Sequence, residues 1–104
     1  MSPRRAVTIE RDRMARFACL EAARGSCERC GASDGRLEWH HVITRRVVAL
    51  RWESANSLAL CQPCHRWWHG NPKAALEWFV GRFGINRLEY LHQRLRALRK
   101  KGGR

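Results

Sequence analysis

The chain has no long apolar run, few acidic residues and very little lysine. None of its apolar stretches approaches the roughly 18 uninterrupted residues that a membrane helix needs. Its first residues lead into arginines instead of the apolar segment of a secretion signal. No internal repeat is evident. We therefore expect a soluble, cytoplasmic protein with no membrane partner.

The scarcity of acidic residues leaves the chain strongly basic. Nine acidic residues oppose 21 basic ones, of which only three are lysine, and the formal net charge is +12. Each phosphate that a basic side chain neutralises releases condensed counterions, so an excess of this size is typical of nucleic-acid-binding proteins. The preference for arginine over lysine also has a simpler origin in GC-rich coding. The charge predicts DNA or RNA as the partner.

The length limits how the fold is stabilised. A single domain of 104 residues buries only about 60 to 65% of its unfolded surface, so a bound metal would add stability that a small core lacks.

Hydrophobic periodicity and turn residues predict the secondary-structure elements. They are a basic arm over 1–8, a helix over 9–24, strands over 37–43 and 58–60, a helix from Cys61 or Gln62, a helix over 71–82 and a last helix striped by Leu88, Leu91, Leu95 and Leu98.

Four of the five cysteines form two CxxC pairs, Cys27-Glu28-Arg29-Cys30 and Cys61-Gln62-Pro63-Cys64. In a reducing cytoplasm such pairs are metal ligands more often than disulfides, and two of them complete the tetrahedral four-sulfur site of structural zinc. We predict that Cys27, Cys30, Cys61 and Cys64 bind one zinc ion. A redox dithiol, an iron–sulfur cluster and a mixed site with one histidine are the alternatives. Cys19 is expected to be a small buried apolar residue.

Four histidines lie among the thiol pairs. His65 and His69 are four residues apart in a predicted helix, which places both imidazoles on one face. His40 and His41 are consecutive in a predicted strand, so both serve one site only if the strand ends or bends there. One ring can then bind a cation while the other, neutral near pH 7, removes a proton from water. Ordinary hydrogen-bonded histidines are the alternative.

Residues 44–57 form a segment long enough to be functional. Its arginines Arg45, Arg46 and Arg51 are candidates to hold phosphates. Asn56 is a candidate to orient a catalytic base by a hydrogen bond, although isolated asparagines are also common in turns.

The order CxxC, His40-His41-Val42-Ile43, Asn56 to Cys61, then Cys64-His65 resembles the HNH nuclease family over about residues 27–70. This resemblance implies a ββα-metal (His-Me finger) core at 27–70. Together with the elements predicted above, it gives an α+β fold with an arm and helix at 1–26, helices at 71–100 and a basic tail at 101–104. It implies a DNA endonuclease that nicks or cuts both strands, leaving 5′-phosphate and 3′-hydroxyl ends. The implied roles are general base for His41, positioning residue for Asn56, and ligands of one catalytic divalent metal for His40 and His65. His69 falls where colicin-type members carry a further histidine near the metal.

Two features depart from the commonest pattern of that family. His40 stands where many members have aspartate, which makes Zn²⁺, Ni²⁺, Co²⁺ and Mn²⁺ as plausible as Mg²⁺. The segment after His41 lacks a frequent glycine pair and, together with residues 84–91, is similar to the recombination nucleases of lambdoid phages (the NinG or Rap group). This weaker likeness indicates a phage-related protein with branched DNA as a possible substrate.

Two other functional classes fit part of the sequence. A non-catalytic zinc-ribbon module that binds nucleic acid accounts for the charge and the thiols, but leaves His40, His41, Asn56 and His65 unexplained. An interaction protein accounts only for the leucine stripe. Monomer and homodimer both remain open, since a domain this small needs a second copy or a second nick to cut both strands.

Overall fold

The computed structural model describes residues 1–103 and has an α+β fold, as the sequence predicts. The described residues divide into two compact units, Met1–Arg66 and the part from Trp67 onward, and each is described by itself. Across residues 1–103 no helix has the length and apolar character needed to cross a bilayer. The elements are α1 (Pro3–Ala22), β1 (Leu37–His41), α2 (Val48–Arg51), a 3-10 turn (Ser54–Asn56), β2 (Ser57–Cys61), α3 (Gln62–Gly70), α4 (Pro72–Phe83) and α5 (Ile85–Gly103).

A two-stranded antiparallel sheet is the centre of the first unit. Its register places Leu37 opposite Cys61 and His41 opposite Ser57. All five residues of β2 are buried, because helix α1 contacts both strands and an apolar strand is stabilised by removing its surface from water. Strand β2 is therefore shielded from water. The two consecutive histidines, His40 and His41, are the last two residues of β1.

Helix α1 begins at Pro3, well before the predicted start at residue 9. Ser2 is its N-cap, and the Ser2 hydroxyl accepts a hydrogen bond from the Arg5 N–H at 3.2 Å. Pro3 occupies the first turn, where its missing N–H costs nothing. The prediction of a non-helical basic arm over 1–8 was therefore wrong, and the Ser-Pro pair was the signal that should have placed the helix start.

The first thiol pair lies in a tight turn over residues 27–31, the knuckle. The Cys27 N–H donates to the Ala32 carbonyl and the Gly31 N–H to the Cys27 carbonyl, each at 2.9 Å. Gly31 has φ +80, in the left-handed region that favours glycine. Glu28 forms two hydrogen bonds with Ala59 of β2. Its N–H donates to the Ala59 carbonyl at 2.9 Å, and its carboxylate accepts from the Ala59 N–H at 2.8 Å. These two bonds join the knuckle to the buried strand.

The second unit is built on aromatic side chains. Trp68, Trp78 and Phe79 pack edge to face, with ring centroids 6.4 Å apart for the two tryptophans and 6.1 Å apart for Trp68 and Phe79. Leu88 and Leu91 of the predicted leucine stripe are buried in this unit. Helix α5 continues to Gly103, so most of the predicted tail at 101–104 is helical, and Arg104 lies outside the described residues.

Candidate functional site

The four paired cysteines meet in one cluster in the first unit. Their sulfur atoms all lie within 4.8 Å of one another, and the Sγ atoms of Cys30 and Cys61 are 3.6 Å apart. A tetrahedral zinc ion with bonds of about 2.3 Å needs sulfur atoms about 3.8 Å apart. Cys27, Cys61 and Cys64 are buried, whereas Cys30 is exposed. The predicted grouping is confirmed, and these residues fit a zinc ion.

The electrostatics of the cluster also favour a bound cation. Burial opposes ionisation of Cys27, but backbone N–H donors around its sulfur outweigh burial and lower the pKa of this thiol to about 6. Burial raises the pKa of Cys64 to about 12, although Arg29 Nη1 donates to its sulfur at 3.4 Å. Like charge disfavours a second thiolate beside the first, whereas a divalent cation stabilises all four.

A second group of possible ligands lies between β1 and α3. His40 is 1% exposed, its ring centroid is 4.8 Å from that of His65, and one nitrogen of each ring lies within 4.8 Å of the other. The Nδ1 atom of His65 is 2.8 Å from a carboxylate oxygen of Glu38. Because this bond fixes Nδ1, Nε2 is the nitrogen that His65 can offer to a cation. Metal-binding histidines commonly have such a carboxylate partner.

Helix α3 and strand β1 explain how these side chains come together. His69 follows His65 by one turn of α3, so the two imidazoles lie on one face of the helix. Glu38 and His40 are two apart in β1 and therefore lie on the same face of the sheet. Sequence reasoning missed Glu38, although this alternation was a usable signal.

His41 ends β1 and lies on the other face of the strand. Its ring centroid is 4.3 Å from that of Trp39, and its Nε2 is 3.0 Å from the carbonyl oxygen of Arg51. A carbonyl oxygen can only accept, so Nε2 carries the proton and Nδ1 has the lone pair. Burial lowers the pKa of His41, and the positive charge of Arg45 lowers it further. The ring is consequently neutral at pH 7 with Nδ1 as its basic atom.

Asn56 is fully buried and fixes the loop that surrounds His41. Its Oδ1 accepts from the Ile43 N–H at 2.6 Å, and its Nδ2 donates to the carbonyls of Ile43 at 2.9 Å and Leu50 at 3.0 Å. The predicted direct hydrogen bond to the imidazole of His41 is replaced by these bonds to the backbone. Asn56 still lies close to the contacts of His41, since the Leu50 carbonyl belongs to the residue before Arg51, whose own carbonyl accepts from His41.

The three arginines predicted to hold phosphates differ in their surroundings. Arg45 and Arg46 are exposed. The Arg51 side chain is only 16% exposed, and its guanidinium donates to both carboxylate oxygens of Asp12, with Nε 2.8 Å from Oδ1. At Arg51 the structure has an ion pair between α1 and α2, and phosphate binding by this guanidinium stays a prediction.

Comparisons of the chain with protein-family models, with curated proteins and with solved structures give no significant match. The geometry of the site is therefore the basis for assigning a function. It groups the four cysteines, places His40 beside His65, and separates His41 from both groups.

Proposed function

We propose that the protein is a metal-dependent HNH-type endonuclease that hydrolyses phosphodiester bonds in DNA, with a structural zinc in the four-cysteine cluster. The observation that carries this proposal is the different placement of two consecutive histidines. A ligand nitrogen of His40 lies within 4.8 Å of one of His65, whereas His41 has Nε2 bonded to a carbonyl, which leaves the lone pair on Nδ1. Because β1 ends at His41, both rings flank the same strand end.

His41 is the proposed general base. Its Nδ1 accepts a proton from the attacking water, and the Arg51 carbonyl, 3.0 Å from Nε2, stabilises the imidazolium that forms. Trp39 packs against the ring at a centroid distance of 4.3 Å and limits its rotation. A positioned general base of this kind contributes about 10²- to 10⁴-fold to the rate.

His40 and His65 are the proposed ligands of the catalytic cation, and His69, one turn further along α3, is a third candidate. Glu38 supports this role because its carboxylate holds the Nδ1 of His65 at 2.8 Å and leaves Nε2 for the cation. When bound, the cation supplies positive charge that stabilises the developing charge on the phosphate and the leaving oxygen. Imidazole ligands suit Zn²⁺, Ni²⁺, Co²⁺ and Mn²⁺ as well as they suit Mg²⁺.

The charge of the chain supports DNA as the substrate. The net charge of +12 provides sequence-independent attraction to phosphates. Arg45 and Arg46 are exposed and follow closely after the strand end that carries His41. Burial is the main cause of the lowered pKa of His41, and the nearby charge of Arg45 lowers this pKa further. Phosphates held by these two arginines would lie close to the proposed base.

A plasmid-nicking assay tests the proposal. The zinc-loaded chain is incubated with supercoiled, linear and four-way-junction DNA, each with Mg²⁺, Mn²⁺, Ni²⁺ or Zn²⁺. We expect cleavage that EDTA abolishes and that His41→Ala lowers by about 100-fold or more. The His92→Ala variant, which changes an exposed histidine of α5, is the matched control and should cleave like the wild type.

Two outcomes would contradict the proposal. Cleavage that survives both EDTA and His41→Ala would show that another group or a contaminant does the chemistry. DNA binding without cleavage in any metal, with one tightly held zinc per chain and no metal lost in the His40→Ala/His65→Ala double variant, would instead favour a non-catalytic zinc-ribbon module.

A further inference from the structure

We propose that Asp12, which lies on α1 outside the 27–70 core, is a positioning residue for His41. This role presupposes the proposed function, since it matters for catalysis only if His41 is the base. Asp12 does not touch His41 or the substrate. It acts through Arg51, the residue whose carbonyl accepts the hydrogen bond from His41.

The Asp12 carboxylate holds two consecutive side chains at the end of α2. Its Oδ1 accepts from Arg51 Nε and from Trp52 Nε1, each at 2.8 Å, and its Oδ2 accepts from Arg51 Nη2. The Asp12 side chain is 24% exposed and that of Arg51 16%. The preceding residue of α1 contributes as well, because the Arg11 guanidinium lies 5.0 Å from the Trp52 ring centroid.

The end of α2 needs such support from outside. Helix α2 has four residues, and its N-cap, Val47, makes no side-chain capping bond, whereas an isolated helix needs about 12 to 15 residues to be even marginally stable. Its last carbonyls are therefore oriented by groups outside the helix, which for the Leu50 carbonyl include the Glu53 N–H at 3.3 Å. Asn56 Nδ2 donates to the Leu50 carbonyl at 3.0 Å, and the Asp12 carboxylate fixes the side chain of the following residue, Arg51.

The position of the Arg51 carbonyl decides the tautomer of His41. With that oxygen 3.0 Å from Nε2, the proton stays on Nε2 and Nδ1 remains the acceptor. Without Asp12, Arg51 has a half-buried guanidinium with no carboxylate partner, so its backbone shifts toward a solvated arrangement. The Arg51 carbonyl then no longer selects one tautomer, and part of the His41 population presents an N–H where a lone pair is needed.

The experiment uses the zinc-loaded chain of 104 residues. The variants are Asp12→Ala, Asp12→Asn and Asp12→Glu, with Glu10→Ala as control, because Glu10 is an exposed acidic residue of the same helix whose ion pair with Arg13 is local. Two readouts are taken: kcat and KM for plasmid nicking, and long-range ¹H–¹⁵N spectra of the imidazoles, with His41 assigned by the loss of its signals in His41→Gln. The spectra report the tautomer without requiring activity.

We expect a single Nε2–H tautomer for His41 in the wild type and in Glu10→Ala, and a mixture in Asp12→Ala and Asp12→Asn. We expect kcat to fall about 10- to 100-fold in these two variants with KM unchanged, since misplacement of a catalytic group by about 1 Å costs up to about 10²-fold. Asp12→Glu should restore part of the rate and of the single tautomer.

A single Nε2–H tautomer of His41 in Asp12→Asn, as in the wild type, would overturn the role of Asp12. So would a fall in kcat of Asp12→Asn no larger than the fall in Glu10→Ala. If Asp12→Ala fails to fold, Asp12→Asn, which keeps the size of the side chain, decides the question. A wild type that never cleaves DNA defeats the proposed function, and the spectra then still decide whether Asp12 positions His41.

Discussion

A neutral histidine has two tautomers, and the partner of one ring nitrogen determines what the other nitrogen can do. For His65 the partner is the carboxylate of Glu38 at 2.8 Å, which makes the second nitrogen a stronger ligand. For His41 the partner is the uncharged carbonyl of Arg51 at 3.0 Å, and burial lowers the pKa of the ring. One residue type therefore supplies both the proposed ligand and the proposed base within one small site.

Replacing Glu38 with glutamine should weaken binding of the proposed catalytic metal by about 10- to 100-fold. The amide lacks the charge that strengthens His65 as a ligand, whereas the sulfur cluster is left intact. Competition between the zinc-loaded chain and a chelator for added Mn²⁺ or Co²⁺ measures the affinity. Glu89→Gln, at an exposed position of α5, is the control, and equal affinities for the two variants would contradict the role of Glu38.

Replacing Asn56 with alanine should lower the free energy of unfolding by about 2 to 4 kcal/mol. The substitution removes three hydrogen bonds of a side chain that is fully buried, and buried groups left unpaired cost about 1 to 3 kcal/mol each. Urea unfolding of the zinc-loaded chain provides the measurement. Asn86→Ala, exposed on α5, should change stability by no more than about 0.5 kcal/mol. A loss below about 1 kcal/mol for Asn56→Ala would argue against its role in fixing the loop.

Among the elements, the knuckle and β2 depend on each other. The backbone and side chain of Glu28 bond the two groups of Ala59, and the strand ends in Cys61, one of the four clustered thiols. A metal bound by the cluster would therefore hold together the knuckle and the end of β2, the two segments that the Glu28–Ala59 bonds join. Without a cation the four sulfur atoms have no common partner, so removal of a bound metal should weaken the contact.

Removal of the zinc with a chelator should release the sheet. We expect the backbone amides of Glu28 and Ala59 to lose most of their protection against hydrogen exchange, because structural zinc contributes on the order of 10 kcal/mol to folding. Cys61→Ser should behave like the chelated protein, and Cys19→Ser, which lies outside the cluster, like the wild type. Full protection of Ala59 after complete zinc loss would show that the cluster does not stabilise β2.

Local signals were enough to predict most elements and the thiol grouping. The CxxC pairs, the Asn71-Pro72 start of α4 and Gly84 after its end are short-range signals, and the structure places α4 at Pro72–Phe83. Asn71 makes no side-chain capping bond, however, and its Nδ2 donates to the Trp67 carbonyl at 3.0 Å. The start of α1 was predicted wrongly because residues 1–8 were assigned as an arm on the basis of their positive charge. The Ser2-Pro3 pair is a local signal for a helix start at Pro3, and that signal was not used.

The partners of the loop residues were beyond prediction for a different reason. Asp12 and Arg51 are 39 positions apart, and no periodicity connects residues at that separation. Their pairing follows from how α1 packs on the sheet, which is a property of the folded chain. Arg51 therefore looked like one more exposed arginine of a basic loop, and Asn56 looked like a residue that would touch the imidazole itself.

At the scale of the whole molecule, the excess of positive charge should govern affinity for DNA. The logarithm of the association constant should fall linearly with the logarithm of salt concentration, with each phosphate contact contributing a slope of about −0.9. The Arg45→Ala/Arg46→Ala double variant should reduce the magnitude of the slope by about 2. Fluorescence anisotropy with a labelled duplex across a salt series gives both slopes.

The control for this measurement is Arg82→Ala/Arg96→Ala, which removes the same charge from exposed positions of α4 and α5. If Arg45 and Arg46 contact phosphates directly, only the first pair should change the slope by the full amount. Equal slopes for the two double variants would mean that the charge acts as a diffuse field, without a defined phosphate contact at the loop.

Because β1 is pleated, odd-numbered and even-numbered residues of the strand lie on opposite faces, and the face decides what each side chain contacts. Glu38 and His40 occupy even positions and lie toward α3, whereas Trp39 and His41 occupy odd positions on the opposite face. Inserting or deleting one residue ahead of Glu38 without a compensating change in β2 would exchange the two faces. Two histidines would remain adjacent in such a chain, yet the proposed ligand and the proposed base would trade surroundings. An insertion of two residues preserves the parity, so it should be less harmful than an insertion of one.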